Sequence, residues 1–142
     1  MSYTLSAFSR DGEPTTLATA EDVLNFIAQL MIEADESADD TAAHLYVNER
    51  STDDEDGLPD HELRVGIDPE SSTGALRYTD LSGQFYARGT ESGRAEVRYF
   101  HSGHADEYPT DSVVPLDVIR RSLIEMLSTG TRPTAVQWAP LQ

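Results

Sequence analysis

The sequence predicts a single α+β domain over residues 1–142: a mostly antiparallel sheet with two helices packed on one face. Three observations predict it. Residues 19–34 and 115–130 repeat apolar side chains with the 3.6-residue period of a helix. Between them lie five short runs rich in β-branched and aromatic residues, divided by Gly, Pro, Asp and Ser. The connections between most of these runs are too short for helical crossovers, so neighbouring strands must turn back as antiparallel hairpins. At 142 residues the chain is long enough to bury one proper core.

At the N-terminus, Tyr3, Leu5 and Ala7 alternate with Ser2, Thr4 and Ser6, the pattern of a half-buried strand over 2–8. Residues 9–18 read as a polar loop broken by Gly12 and Pro14. Thr19-Ala-Glu-Asp22 is a helix N-cap with acids in the first turn, where the macrodipole favours them. That helix is expected to reach about Ala34, with Val23, Leu24, Ile27, Leu30, Met31 and Ala34 on one stripe. A polar, acidic linker covers 35–41. Strands are expected over 43–49, 61–67, 75–79, 84–89 and 95–101, with long loops at 50–60 and 102–114. Pro115 opens the second helix, since its missing N–H has no intrahelical partner there. Its apolar face is Leu116, Ile119, Leu123, Met126 and Leu127. Gly130 supplies the positive φ that ends a helix, and Pro133 blocks its resumption. Residues 135–138 form a final strand carrying Trp138, the chain's only tryptophan.

Charge narrows the function. Ten basic residues against 26 acidic ones give a net charge of −16, and every basic residue is an arginine. Such a field repels nucleic acid and anionic lipid and accelerates encounter with basic partners. The acids concentrate between Glu33 and Glu70, where 14 of them face only Arg50 and Arg64. A run of this kind is either a solvated face or an interaction surface. With no cysteine, disulfides, thiolate metal sites and cysteine nucleophiles are excluded. The first 14 residues lack a basic stretch followed by an apolar one, and no apolar run approaches the roughly 20 residues of a membrane span. A soluble, cytoplasmic protein is expected.

The candidates for chemistry are weak. Setting Gly57 as position 6 of a calcium loop puts Asp54 and Asp56 at positions 3 and 5, but Thr52 and Leu63 at positions 1 and 12. Two critical oxygen ligands are then missing, and a strand follows instead of a helix. His101 and His104 have no third ligand at metal-site spacing. His101 and Asp106 could form an acid–base pair, an arrangement common by chance. No nucleophile elbow, phosphate loop, dinucleotide fingerprint or HExxH motif occurs. No catalytic residue, cofactor or metal is therefore assigned. Tyr46, Tyr78, Tyr86, Tyr99 and Tyr108 read either as cross-strand aromatic pairs or as interface anchors. Tyrosines beside a negative loop suit a partner that is itself basic, as an enzyme acting on nucleic acid must be.

One stretch adds a resemblance. Arg98-Tyr99-Phe100, Glu107-Tyr108-Pro109 and Val114-Pro115 precede a helix running into Thr129-Gly130-Thr131-Arg132-Pro133, then Val136 and Trp138. Over about residues 95–138 this resembles the first-numbered family of bacterial polymorphic-toxin immunity proteins, whose C-terminal pattern is a helix, T-G-x-R-P and V-x-W. The resemblance implies a small cytoplasmic α+β protein that binds and neutralises a co-produced toxin, often a nucleic-acid deaminase. Gly130, Arg132, Pro133 and Trp138 match the family's motif, and their expected role is packing and chain reversal rather than toxin contact. The resemblance does not place the toxin contacts. Charge alone nominates Asp53, Asp54, Glu55, Asp56 and Asp60 as the partner-binding surface, with Glu107 and Tyr108 as neighbours. The expected function is stoichiometric occlusion of a basic toxin domain, without binding nucleic acid or membrane. The rival is an acidic nucleic-acid mimic that binds many basic proteins, and behind it a hydrolase using His101 and His104.

Overall fold

The computed structural model describes residues 2–9, 13–50 and 58–141. Along the chain these form β1 (Leu5–Phe8), β2 (Thr15–Leu17), α1 (Ala20–Glu36), β3 (Ala42–Val47), β4 (Glu62–Asp68), β5 (Thr73–Asp80) and β6 (Gly83–Arg88). They continue as β7 (Val97–His101), β8 (His104–Tyr108), β9 (Val114–Pro115), α2 (Leu116–Thr129) and β10 (Gln137–Pro140). One antiparallel sheet has the order β10-β6-β5-β4-β3-β1-β2, with β9 paired to β5, and β7-β8 is a separate hairpin. The central β3-β4-β5-β6 meander is the hairpin series expected from the short connections.

Alternation along the strands divides the sheet into two faces. Leu45, Leu63, Val65, Leu76 and Tyr78 turn to one side and share a core with Val23, Ile27 and Leu30 of α1 and Ile119, Leu123 and Met126 of α2. Both helices therefore cover this face, the α+β arrangement that the pattern predicts. The opposite face carries the β7-β8 hairpin, whose Val97, Tyr99 and Tyr108 form a second small core with Ala42 and Ala75. Ala42, Gly66 and Ala75 stand side by side across β3, β4 and β5. Their small side chains leave a trough for the Tyr99 ring, and a Cβ on Gly66 would come within 2.2 Å of it.

Cap chemistry sets both helix starts. Thr19 is the N-cap of α1: its Oγ1 accepts from the Asp22 amide at 3.1 Å, and Asp22 Oδ2 accepts from the Thr19 amide at 3.1 Å. At α2, Pro115 is the N-cap and not the first helical residue, because its ψ of 151 keeps it extended and paired with Thr73. Gly130 ends α2 in the left-handed region with φ of 66, and its amide donates to the Met126 carbonyl at 2.9 Å.

Several element bounds differ from expectation. The segment 9–18 contains β2, which extends the sheet beyond β1. The segment 102–114 contains β8, because Ser102 and Gly103 adopt positive φ and reverse the chain in two residues. The final strand is 137–140, set by its pairing of Trp138 with Ala87 on β6. On α1, Leu24 is 47% exposed while Phe26 and Glu33 are buried, so the inward stripe is rotated from the expected one.

Candidate functional site

In the sequence the acidic segment lies between β3 and β4. Asp53, Asp54, Glu55 and Asp56 lie outside the described residues; Arg50 before them and Asp60 after them are joined to each other. Asp60 Oδ1 accepts from Arg50 Nη2 at 3.1 Å and from His61 Nδ1 at 2.8 Å. Arg50 Nη1 donates to the Tyr78 hydroxyl at 2.5 Å. His61 Nε2 accepts from the Val47 amide at 2.8 Å, so the ring proton sits on Nδ1 and the imidazole is neutral. Burial pushes the His61 pKa down, and this outweighs the upward pull of Asp60. Burial raises Asp60, but the bonds from His61 and Arg50 hold its carboxyl below the ordinary carboxylate range. A closed clamp thus fixes the root of the most acidic segment to the sheet.

Beside it, the face opposite the helices carries a charged ladder. The Tyr46 hydroxyl donates to Glu62, whose other oxygen accepts from Arg64 Nε at 2.5 Å. Arg64 Nη1 reaches across to Asp106 Oδ1 on β8 at 2.5 Å. His44 lies 3.8 Å from Glu62 and 3.7 Å from Asp106, stacked on His101 with 4.2 Å between ring centroids. Burial raises Glu62 and Asp106, yet Tyr46 and Arg64 at the first, and His44 and Arg64 at the second, hold both below the ordinary range. Desolvation and the Glu62 bond push the Tyr46 hydroxyl well up. Fixed ion pairs of this kind organise a surface.

Glu107 and Tyr108 sit on β8 and point to opposite sides of the hairpin. Glu107 is exposed and 3.3 Å from Arg98. Tyr108 is buried, its ring edge-on to Tyr99 at 5.4 Å, and desolvation raises its hydroxyl pKa. No hydrogen bond or ion pair among the described residues joins Asp60 to either. Tyr78 and Tyr99 are also buried, so of the five tyrosines only Tyr46 and Tyr86 are partly exposed. Sequence reasoning passed over Glu62 and His44, met Arg64 only in the charge count, and read Tyr46 as an aromatic pair or an interface anchor without its carboxylate partner. Their signal was present: Glu62, Arg64 and Gly66 alternate with Leu63, Val65 and Ile67, marking a second face on which something packs. Asp106 was weighed against His101, but its carboxylate is engaged by Arg64.

A third feature is built by the C-terminal motif. Glu125 on α2 accepts from the amides of Thr134 and Ala135 at 2.6 and 3.0 Å and shapes the turn after the helix. Pro133 offers its carbonyl to Trp138 Nε1 at 2.6 Å. Arg132 lies over the Phe85 ring at 4.6 Å. Arg132, Pro133, Thr134 and Trp138, together with Arg50, Tyr78 and Asp80, line an open cleft of about 450 Å³. Gly130, Arg132, Pro133 and Trp138 thus cap, stack and reverse the chain.

Among the described residues no group of three or more His, Asp or Glu is arranged to hold a metal ion. Leu63, position 12 of the calcium frame, is a fully buried core residue. No helix among the described residues is long and apolar enough to cross a membrane. Set beside known families, residues 11–140 match Immunity protein Imm1. The chain belongs to the Imm1 family. The match covers nearly the whole chain, well beyond the C-terminal motif that carries the resemblance in sequence. Membership makes this Imm1 protein an immunity protein with a cognate toxin as partner. A comparison with curated proteins finds no match.

Proposed function

We propose that this Imm1 protein is a stoichiometric, non-catalytic inhibitor of a basic toxin domain that acts on nucleic acid, a deaminase in the first instance. It covers the toxin's active site or the cleft that admits its substrate. The observation that carries this reading is the net charge of −16 in a family of immunity proteins. An enzyme that holds a polyanion must present positive potential around its active site, and a negative surface is complementary to it. In this reading Asp53, Asp54, Glu55, Asp56 and Asp60 supply the charge. Glu107 extends it onto the hairpin, and Tyr108 holds the hairpin from beneath. The protein does its work in the cytoplasm, where nucleic-acid targets are.

The test is a pull-down from native lysate at moderate and at high salt, with bound proteins identified by mass spectrometry. One dominant basic toxin, encoded nearby and retained at high salt, is the expected result. Its activity on nucleic acid should fall to zero at one equivalent of this protein. A range of basic proteins, all lost at high salt, would instead mark a nucleic-acid mimic.

A further inference from the structure

Large apolar side chains are rarely left in water at the tip of a tight turn, where Asn, Gly and Asp are favoured. Leu81 occupies such a tip, between β5 and β6, and is 94% exposed. The turn that presents it is locked. Asp80 Oδ1 accepts from the Ser82 amide at 2.8 Å and from the Ser82 hydroxyl at 2.5 Å, and Asp80 pairs with Gly83 in the ladder. A side chain held out in this way binds without the cost of ordering a flexible loop.

Next to it is a socket. Asp80 and Ser82 line the same cleft as Trp138 and Arg132. The Arg132 guanidinium lies between aromatic rings, 4.6 Å from the Phe85 centroid and 5.9 Å from that of Trp138. No carboxylate among the described residues lies within ion-pair distance of it, although its charge helps hold Asp80 in the same cleft below the ordinary carboxylate range. The cleft is also tied to the root of the acidic segment, since Arg50 lines it while bonding Tyr78 and Asp60. Leu58, two residues before Asp60, is a second exposed apolar side chain at 60%.

We infer that this end of the sheet is the toxin-docking surface, with Leu81 as its apolar anchor and the Arg132–Trp138 cleft as the socket beside it. Apolar and aromatic groups with an arginine at the centre, ringed by charge, form the composition of an interface hot spot. The net charge of −16 matches a partner whose surface is basic, and family membership makes that partner the toxin. The occupant is therefore the basic toxin domain, offering an apolar pocket to Leu81 and a carboxylate to Arg132. This rests on the immunity reading and adds to it the part of the surface that holds the partner.

The experiment uses the toxin domain encoded beside this chain, inactivated at its catalytic residue and purified, titrated calorimetrically with the full-length protein. Leu81→Asp is expected to weaken binding at least about 30-fold, because it puts a carboxylate where an apolar pocket receives the side chain. Arg132→Gln is expected to weaken it about 10-fold, and Leu24→Asp, on the outer side of α1, less than about threefold. Unchanged thermal unfolding of Leu81→Asp establishes that the fold survives. If wild-type protein binds and both Leu81→Asp and Arg132→Gln bind equally well, the docking surface is overturned while the immunity reading stands. If wild-type protein does not bind the toxin, both are overturned.

Discussion

Arg64 Nη1 donates to Asp106 Oδ1 at 2.5 Å and so joins β4 to a hairpin with which it shares no backbone ladder. The Asp106 side chain is only 9% exposed, so its charge relies on this partner. Removing the guanidinium leaves a poorly solvated carboxylate with only His44, 3.7 Å away, beside it. Arg64→Met is expected to destabilise the protein by about 2–4 kcal/mol in urea unfolding. Adding Asp106→Asn should restore part of that loss, giving a coupling energy of about 1 kcal/mol or more in the double-mutant cycle. Strict additivity would show that the pair contributes nothing to holding the hairpin.

Gly66 tests the same hairpin from the apolar side. A Cβ there would lie 2.2 Å from Tyr99 Cγ, inside any permitted contact. Gly66→Val should therefore lift β7-β8 from the sheet, costing about 1–3 kcal/mol or more as overpacking does. Amide exchange over 97–108 should accelerate more than exchange in β4 and β5. Equal acceleration throughout would mean that the sheet itself, and not the hairpin, yields.

His61 governs a pH dependence whose direction follows from its environment. Its pKa is lowered in the folded protein, so below the ordinary value of about 6.5 the unfolded chain takes up a proton that the native ring refuses. Stability is then fully present above pH 6.5 and falls as pH drops through the window down to the native pKa. Protonation at Nε2 also breaks its bond from the Val47 amide. In His61→Gln the decline in unfolding midpoint between pH 7 and pH 5 should be shallower than in wild type. Asp60, Glu62 and Asp106 are lowered instead, so their contribution is lost only as pH falls below the ordinary carboxylate range. Identical slopes in the two proteins above pH 5 would remove His61 from this account.

The acidic segment makes a kinetic prediction. Replacing Asp53, Asp54, Glu55 and Asp56 by Asn or Gln should slow association with the toxin about 10-fold at low salt, because steering is lost. The dependence of the association rate on ionic strength should flatten correspondingly, since screening acts on those same charges. Stopped-flow mixing across a salt series measures both. A rate and salt slope equal to wild type would make the segment a solvated tail to a binding surface elsewhere.

The parts of the molecule legible in its sequence are those that depend on near neighbours in the chain. The Thr19 capping box and the Gly130 stop need only residues three or four positions away. The inward row Leu63, Val65 and Ile67 follows from the two-residue repeat of a strand, and the net charge from simple composition. The C-terminal motif was legible as well, and it correctly pointed to an immunity family. What stayed hidden depends on partners far along the chain. Segments 13–17 and 102–108 are polar enough to pass for loops, and only the edge of β1 and the Ala42–Gly66–Ala75 trough make strands of them. Tyr108 looked like an interface residue because a tyrosine has the same amphipathic character whether a neighbour covers it or not. Residues such as Glu62, Arg64 and Asp106 carry charge in any conformation, but a ladder requires that a hairpin from residue 106 fold back onto residue 64. The sequence by itself determined an acidic α+β domain with two capped helices, because local periodicity and charge need no tertiary contact. Only the tertiary structure decided which face the hairpin covers, which tyrosines are buried, and that Leu81 stands beside the Trp138 cleft. Those depend on long-range packing, which no local pattern encodes.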